Sequence, residues 1–202
     1  TEPETLDWIR AQGSAVHLIA LPENLGYAGG YQEGLKQLDG YDLAVLMNTD
    51  IEPLEGWLDP LVARFADQPR LGAIQPKIRS HSHPAEFEYA GAMGGRMDDW
   101  GIPFAYGRVL DRCELDQGQY DADREVFATS ESALLVRSDL FGAIGGFDPE
   151  IRFLDGSLDL CWRARLAGAS VLTAPTAVGR SVGGRRTRRR RTDPQRLRPR
   201  HK

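Results

Sequence analysis

Leu43-Ala44-Val45-Leu46-Met47-Asn48-Thr49-Asp50 is the stretch around which the rest of the chain is arranged. Its run of five apolar residues is too short for an ordinary helix and stops abruptly at Asn-x-Asp. The pattern predicts a buried parallel strand with polar groups at its carboxyl end. Open α/β sheets bind their ligands at that end. An aspartate held there, beside the exposed loop Ile51-Glu52-Pro53, can offer hard oxygen ligands to Mg2+ or Mn2+, and such a cation neutralises a diphosphate. An Asn/Asp turn that merely ends the strand is the plainer reading of this segment taken by itself.

Upstream, residues 3–12 read as a short helix stopped by Gly13, and residues 15–21 (Ala-Val-His-Leu-Ile-Ala-Leu) as a strand. His17 within that strand reads as a paired or exposed side chain rather than a ligand. The segment Glu23-Asn24-Leu25-Gly26-Tyr27-Ala28-Gly29-Gly30 then opens a helix expected over residues 29–38, so strand, glycine-rich loop, helix and strand make a right-handed βαβ unit. Small residues at a helix entrance let backbone N–H groups approach a phosphate or sugar. Tight packing of helix on sheet explains the same glycines, and the spacing is not the GxGxxG of dinucleotide folds.

Downstream, residues 56–66 predict a helix with Trp57, Leu58, Leu61, Val62 and Phe65 on its apolar side. Residues 73–78 predict a short strand that Pro76 assigns to an edge or a strand end. His81-Ser82-His83 has metal-compatible spacing but lacks the further ligands a site needs. Residues 87–127 are glycine-rich and irregular, the signature of a functional loop or lid; Asp98-Asp99 within it read as solvated acids. Regularity returns with a strand over 132–137, a helix over 138–144 and the stop Gly145-Gly146. A last helix has Ser157 as N-cap, an apolar face of Leu158, Cys161, Trp162 and Leu166, and Gly168 beyond its end. Asp159 and Arg163 are spaced for a helix-face ion pair. Asp155, just before the helix, is free to act as a base across a cleft.

The chain has 202 residues, 41% of them apolar, which suits one domain with an appendage, and no stretch approaches the length of a membrane span. No signal peptide is visible at its start. Cys113 and Cys161 lack CxxC spacing and favour a reducing, cytoplasmic setting. The net charge of −4 hides an asymmetry: residues 180–202 carry eleven Lys or Arg against the single acid Asp193, and the preceding 179 residues carry 14 basic against 28 acidic. An acidic body argues against nucleic-acid binding and suits a cation-dependent site. Residues 183–202, nearly devoid of apolar side chains, are expected to be a disordered Arg-rich tail.

Taken together, Glu23 to Gly30, Leu46-Met47-Asn48-Thr49-Asp50, Leu134-Leu135-Val136-Arg137 with Gly145-Gly146-Phe147-Asp148, and Asp159-Leu160-Cys161-Trp162-Arg163 resemble the nucleotide-sugar glycosyltransferases of family 2, and within it the rhamnosyltransferase-like members. The resemblance implies an α/β, GT-A Rossmann-like mixed sheet flanked by helices over residues 1–182. It implies an inverting transfer from a nucleotide-sugar donor to a hydroxyl of a glycan or lipid-linked acceptor of an envelope polysaccharide, with Mg2+ or Mn2+ as cofactor. Asp50 would bind the metal, and Asn24, Gly26, Ala28, Gly29, Asn48 and Asp50 would line the donor pocket. Asp155 and Asp159 are the catalytic candidates. The protein would work at the inner face of the membrane as a peripheral partner.

This sequence departs from the family in places that bear on chemistry. The acidic pair that supplies the base is replaced by Gly156-Ser157, which can accept no proton at neutral pH. Asp155 could stand in only with altered reach, and misplacement by about 1 Å costs on the order of 10²-fold in rate. The His-x-Val-Gly-Gly element appears as Arg180-Ser181-Val182-Gly183-Gly184, whose arginine can contact phosphate but cannot ligate a cation. A Gly-Ala pair is replaced by Ser132-Ala133. The strands that bind the nucleoside base in the family are not seen, so an amino-terminally truncated domain is expected, with the strand at 15–21 either pairing directly with the one at 43–47 or left as an exposed edge. Two other readings follow: a catalytically degenerate relative that keeps sugar or nucleotide binding, and an interaction protein whose tail binds polyanions or an anionic membrane.

Overall fold

The computed structural model describes residues 3–151 and 155–182, so the expected tail over 183–202 lies outside the described residues. In chain order the elements are α1 (Pro3–Ala11), α2 (Gly26–Leu35), β1 (Leu43–Met47), β2 (Ile51–Pro53), α3 (Leu58–Asp67) and β3 (Leu71–Ser80). The short strands β4 (Gly95–Met97), β5 (Pro103–Ala105), β6 (Arg108–Val109), β7 (Arg112–Cys113) and β8 (Arg124–Glu125) follow. Then come β9 (Ala133–Arg137), α4 (Ser138–Ala143), α5 (Gly156–Leu166) and β10 (Ser170–Ser181).

The central sheet has the order β1-β9-β3-β10-β2, with β8 also paired to β10. β3 and β10 run parallel and the other pairings are antiparallel, which makes the sheet mixed. Period-two alternation sends neighbouring residues of one strand to opposite faces. Ala44, Leu46, Leu134 and Val136 pack with Ala28 of α2, Phe141 of α4 and Leu160 of α5. On the other face Ile74, Leu135 and Leu172 meet Leu61 and Phe65 of α3. Each such fully buried side chain contributes about 1.5–3 kcal/mol, and together they fix the sheet ends that carry the polar residues.

Several sequence expectations are corrected. β1 pairs antiparallel with β9, not in parallel. It is an edge strand among the described residues, and its Val45 is 37% exposed. Residues 16–21 form no strand: Val16 is extended, but the segment pairs with none of the described strands. The expected βαβ unit therefore lacks its first strand, and α2 begins at Gly26, whose φ of +74° is open to glycine at little cost.

β3 is longer than expected and central, lying between β9 and β10 despite Pro76. The register of β10 jumps from Ala174, opposite Pro76, to Val178, opposite Lys77, so a bulge absorbs the missing proline donor. α5 buries Ser157, Leu160, Cys161 and Ala164, while Trp162 is 47% exposed and Leu166 is more so. Ser157 lies inside the first turn rather than at the N-cap, and its hydroxyl donates to the Thr129 carbonyl at 2.9 Å.

Residues 87–127 are not a bare loop. They fold into the hairpins β4–β5 and β6–β7 around a small core of Phe87, Ala92 and Met93. This lobe is fastened to β3 by Lys77, which donates to Asp116 at 2.9 Å and to Asp121 at 2.5 Å, and by Arg79, which also pairs with Asp116.

Candidate functional site

The polar residues collect where β1 ends. The Asn48 N–H donates to the Ser132 carbonyl at 3.0 Å, one residue past the last β1–β9 pair, Met47 with Ala133. The Ile51 N–H turns back to the Asn48 carbonyl at 3.1 Å, and the Val182 N–H donates to the Asp50 carbonyl at 3.0 Å. Asp50 is thus held between the start of β9 and the end of β10. From α2, the Tyr31 hydroxyl donates to the Met47 carbonyl at 2.7 Å.

The helix entrances meet at the same place. An added Cβ on Gly156 would lie 3.2 Å from Glu131 Oε1 and 3.5 Å from Ala28 Cβ. Glu131 Oε1 accepts the N–H of Gly156 at 2.8 Å and of Ser157 at 3.4 Å, so this carboxylate takes the orphan donors of the first turn of α5. Asp155 holds the N-cap position with φ +63° but makes no capping bond with its side chain. Burial pushes the Glu131 carboxyl above its ordinary range, the two amides pull it down, and the charge of Asp155 pushes it up again. Tyr27 stacks edge-on against Tyr31 and Phe147. Its buried hydroxyl has no hydrogen-bond partner among the described residues, and burial, followed by its neighbours Tyr31 and Glu131, raises its pKa. A polar group left in that state costs about 1–3 kcal/mol, a cost that a bound polar ligand would remove.

Glu88, which feels the charge of Asp50, is only 4% exposed. Burial raises its carboxyl, the amides of Ala90 and Tyr89 lower it, the Asp50 charge raises it and Arg108 lowers it. A pocket lined by Ser80, His83, Phe87, Glu88, Tyr89 and Ser181 opens beside this carboxylate. Among the described residues no three His, Cys, Asp or Glu gather as a self-sufficient metal cage. A hard divalent ion that shares a nucleotide needs only one or two carboxylates, with phosphate oxygens and water completing its shell. Asp50 and its acidic neighbourhood fit that requirement.

The sequence profile of "Glycosyl transferase family 2" matches residues 2–127. The chain belongs to this glycosyltransferase family. The family member is 27% identical over 167 residues to the "Pre-mycofactocin glycosyltransferase" of Mycobacterium tuberculosis, covering 81% of this chain and 31% of that protein. It is 27% identical over 175 residues to the "N-acetylglucosaminyl-diphospho-decaprenol L-rhamnosyltransferase" of the same species, covering 80% of this chain and 57% of the relative. The chain thus spans about a third to somewhat over half of the curated relatives it matches. Its fold is shared with GalNAc-T7, solved with UDP, GalNAc and Mn2+ (TM-score 0.67, 13% identity, 89% of this chain and 34% of that one). It is also shared with the mannosyltransferase PcManGT of Pyrobaculum calidifontis, solved with GDP-Man and Mn2+ (TM-score 0.61, 15% identity, 95% of this chain and 49% of that one).

Of the residues that the glycosyltransferase resemblance singled out, the fold brings Ala28, Asn48, Asp50 and the segment around Asp155 to one end of the sheet. Asn24 lies in the turn before α2, where its Oδ1 accepts the Gly26 N–H at 2.9 Å. Gly29 packs tightly: an added Cβ would sit 2.7 Å from Leu25 Cβ, so close packing within the turn is sufficient reason for a glycine there. Asp159 is engaged elsewhere, accepting both the Nε (3.0 Å) and an Nη (2.5 Å) of Arg163, which also donates to the Ile144 carbonyl at 2.8 Å. His81 faces Glu52 across 3.2 Å. Glu131 and Glu88 had no signal in the sequence: each sits in a polar or irregular stretch, and only long-range pairing shows what it faces.

Proposed function

We propose that this chain is the donor-binding and reacting part of a nucleotide-sugar glycosyltransferase that moves a sugar, with inversion, to a hydroxyl of a glycan or lipid-linked acceptor. The observation that carries the reading is Asp50, fixed at the carboxyl end of β1 by bonds to β9 and β10 and set in an acidic neighbourhood with Glu88. Asp50 would hold Mg2+ or Mn2+. When bound, such an ion neutralises the charge that develops on a departing diphosphate. Ala28, Asn48 and the α2 entrance would line the donor pocket, with Asn24, Gly26 and Gly29 shaping that entrance. The orphan Tyr27 hydroxyl would donate to or accept from the sugar nucleotide. Arg180, in β10 opposite Glu52, would contact phosphate. Asp155 would lie at the rim of the donor pocket, while Asp159 serves the Arg163 pair.

The named acceptor of the rhamnosyltransferase relative is a lipid-linked sugar diphosphate, which favours an envelope acceptor here. No helix among the described residues is long and apolar enough to cross a membrane. The basic tail, at about 1 kcal/mol per Lys or Arg near an anionic surface, supports peripheral contact with the membrane. One observation favours a second reading, a binding protein without turnover: Gly156-Ser157 stand where the family's acidic pair is expected.

One experiment separates the two. The full-length native protein is incubated with UDP-GalNAc, GDP-mannose or a rhamnose nucleotide in Mn2+ or in chelator, and both donor affinity and nucleoside diphosphate release are followed. Release that needs the metal supports transfer; metal-dependent binding without release supports the degenerate reading; neither contradicts both.

A further inference from the structure

We infer that Glu131, in the bend two residues before β9, supplies the carboxylate that takes the proton of the acceptor hydroxyl, in the space left by the missing side chain of Gly156. The inference rests on the transferase reading above and assigns the base that Gly156 and Ser157 cannot provide.

The argument is one of position. The Asn48 N–H donates to the carbonyl of Ser132, the residue after Glu131, so Glu131 and Asp50, the aspartate assigned to the cation, both lie just beyond the same end of the β1–β9 pair. The nearest obstacle to a Cβ on residue 156 is Glu131 Oε1 itself, at 3.2 Å. A carboxylate growing from residue 156 and one growing from residue 131 would therefore occupy the same volume. This chain fills it from the bend that leads into β9 and leaves the helix bare. Two N–H donors from the first turn of α5 hold the group by its Oε1. Both amides go to the same oxygen, which leaves Oε2 to take a proton.

The other carboxylates at this end are less suited. Asp50 is the carboxylate assigned to the cation, and the buried Glu88 is engaged by the Ala90 amide. Asp159 is neutralised by Arg163. Asp155 is exposed, outside the N–H donors of α5. Of the ionisable groups facing Glu131, Tyr27 on α2 is neutral and Asp155 at the head of α5 is anionic, and burial and Asp155 both hold the Glu131 carboxyl above its ordinary range. A base with a raised pKa binds a proton more firmly at the moment of attack. In the step itself the acceptor O–H bond breaks and its proton passes to Glu131. The freed oxygen pair forms the bond to the anomeric carbon, and the bond from that carbon to the diphosphate oxygen breaks with its electron pair leaving on the diphosphate.

The test uses the full-length native protein with Mn2+ and the donor it turns over best among UDP-GalNAc, GDP-mannose and a rhamnose nucleotide. Glu131→Gln keeps an oxygen for the Gly156 and Ser157 amides but cannot take the proton. Its turnover is expected to fall about 10²–10⁴-fold, with donor affinity and melting temperature nearly unchanged. The wild-type rate should rise with pH as Glu131 ionises, and the residual rate of the variant should lose that acid limb. The relocation variant Glu131→Gly with Gly156→Glu should recover at least a tenth of wild-type turnover, where Glu131→Gly alone stays inactive. Retention of turnover within about threefold in Glu131→Gln overturns the inference, as does an acid limb that survives in it or a relocation variant that folds and binds donor without turnover. A wild-type protein that binds donor with Mn2+ but never releases nucleoside diphosphate also overturns it while leaving donor binding intact. Absence of donor binding overturns the transferase reading itself.

Discussion

At Asp159 the guanidinium of Arg163 decides what the carboxylate can do. Both groups are about three-quarters buried, and Arg163 is in turn tied to the Ile144 carbonyl, so the pair closes the α5 surface onto the end of α4. Asp159→Asn is expected to lower stability by about 0.5–1 kcal/mol in urea denaturation and to leave turnover within about threefold. A hundredfold loss of turnover with unchanged stability would return Asp159 to the chemistry. Asp50 was legible because an apolar run that stops at Asn-x-Asp puts a carboxylate at the end of a strand. Glu131 was not, since Ser130-Glu131-Ser132 reads as a polar connector until the Asn48–Ser132 bond shows what lies across from it. The same holds for Tyr27, whose hydroxyl can be seen to lack a partner only after α2, β9 and α5 are in place.

Among elements, the joint between β3 and the lobe of residues 87–127 carries the largest electrostatic stake. Lys77 and Asp116 side chains are each 2% exposed. Burial pushes the Asp116 carboxyl up, but Lys77 and Arg79 outweigh it and hold it below the usual carboxylate range. A depressed folded-state pKa means that the stabilisation is fully present above the unfolded value of about 3.9 and is lost as pH falls through the folded one. Asp116→Ala should cost about 3 kcal/mol, the lower end for a broken buried pair, because Asp121 still reaches Lys77. Melting curves taken between neutral pH and pH 3 test this: the variant should lose part of the wild-type acid sensitivity, and identical curves would remove the joint from the account. Packing sets the second stake. An added Cβ on Gly72 would overlap Leu140 and approach Ala169 Cβ to 2.9 Å, so Gly72→Ala should cost about 1–3 kcal/mol where α4 meets β3. An unchanged melting temperature would contradict that. Elements made by local pattern, such as α3, α4 and β9, were readable to within two residues. β10 was not, because Pro175 and the bulge beside Pro76 interrupt its alternation and its partners lie some hundred residues away in sequence.

For the whole molecule, the class was readable from the alternation of apolar runs with helical periods, and the mixed sheet with helices on both faces agrees with it. The direction of β1 was not readable, since an apolar run does not say which neighbour it will meet. Charge adds a constraint that no single element shows. The first 179 residues carry twice as many acids as bases, so on the proposed reading a nucleoside diphosphate would approach an acidic body and would need a cation to stay. That requirement converges on one carboxylate. The direct measurement is nucleoside diphosphate release by the full-length protein, in Mn2+, before and after Asp50→Ala. The account predicts a fall of at least about 10²-fold, with the fold intact by circular dichroism. Release that continues at the wild-type rate in Asp50→Ala would contradict it.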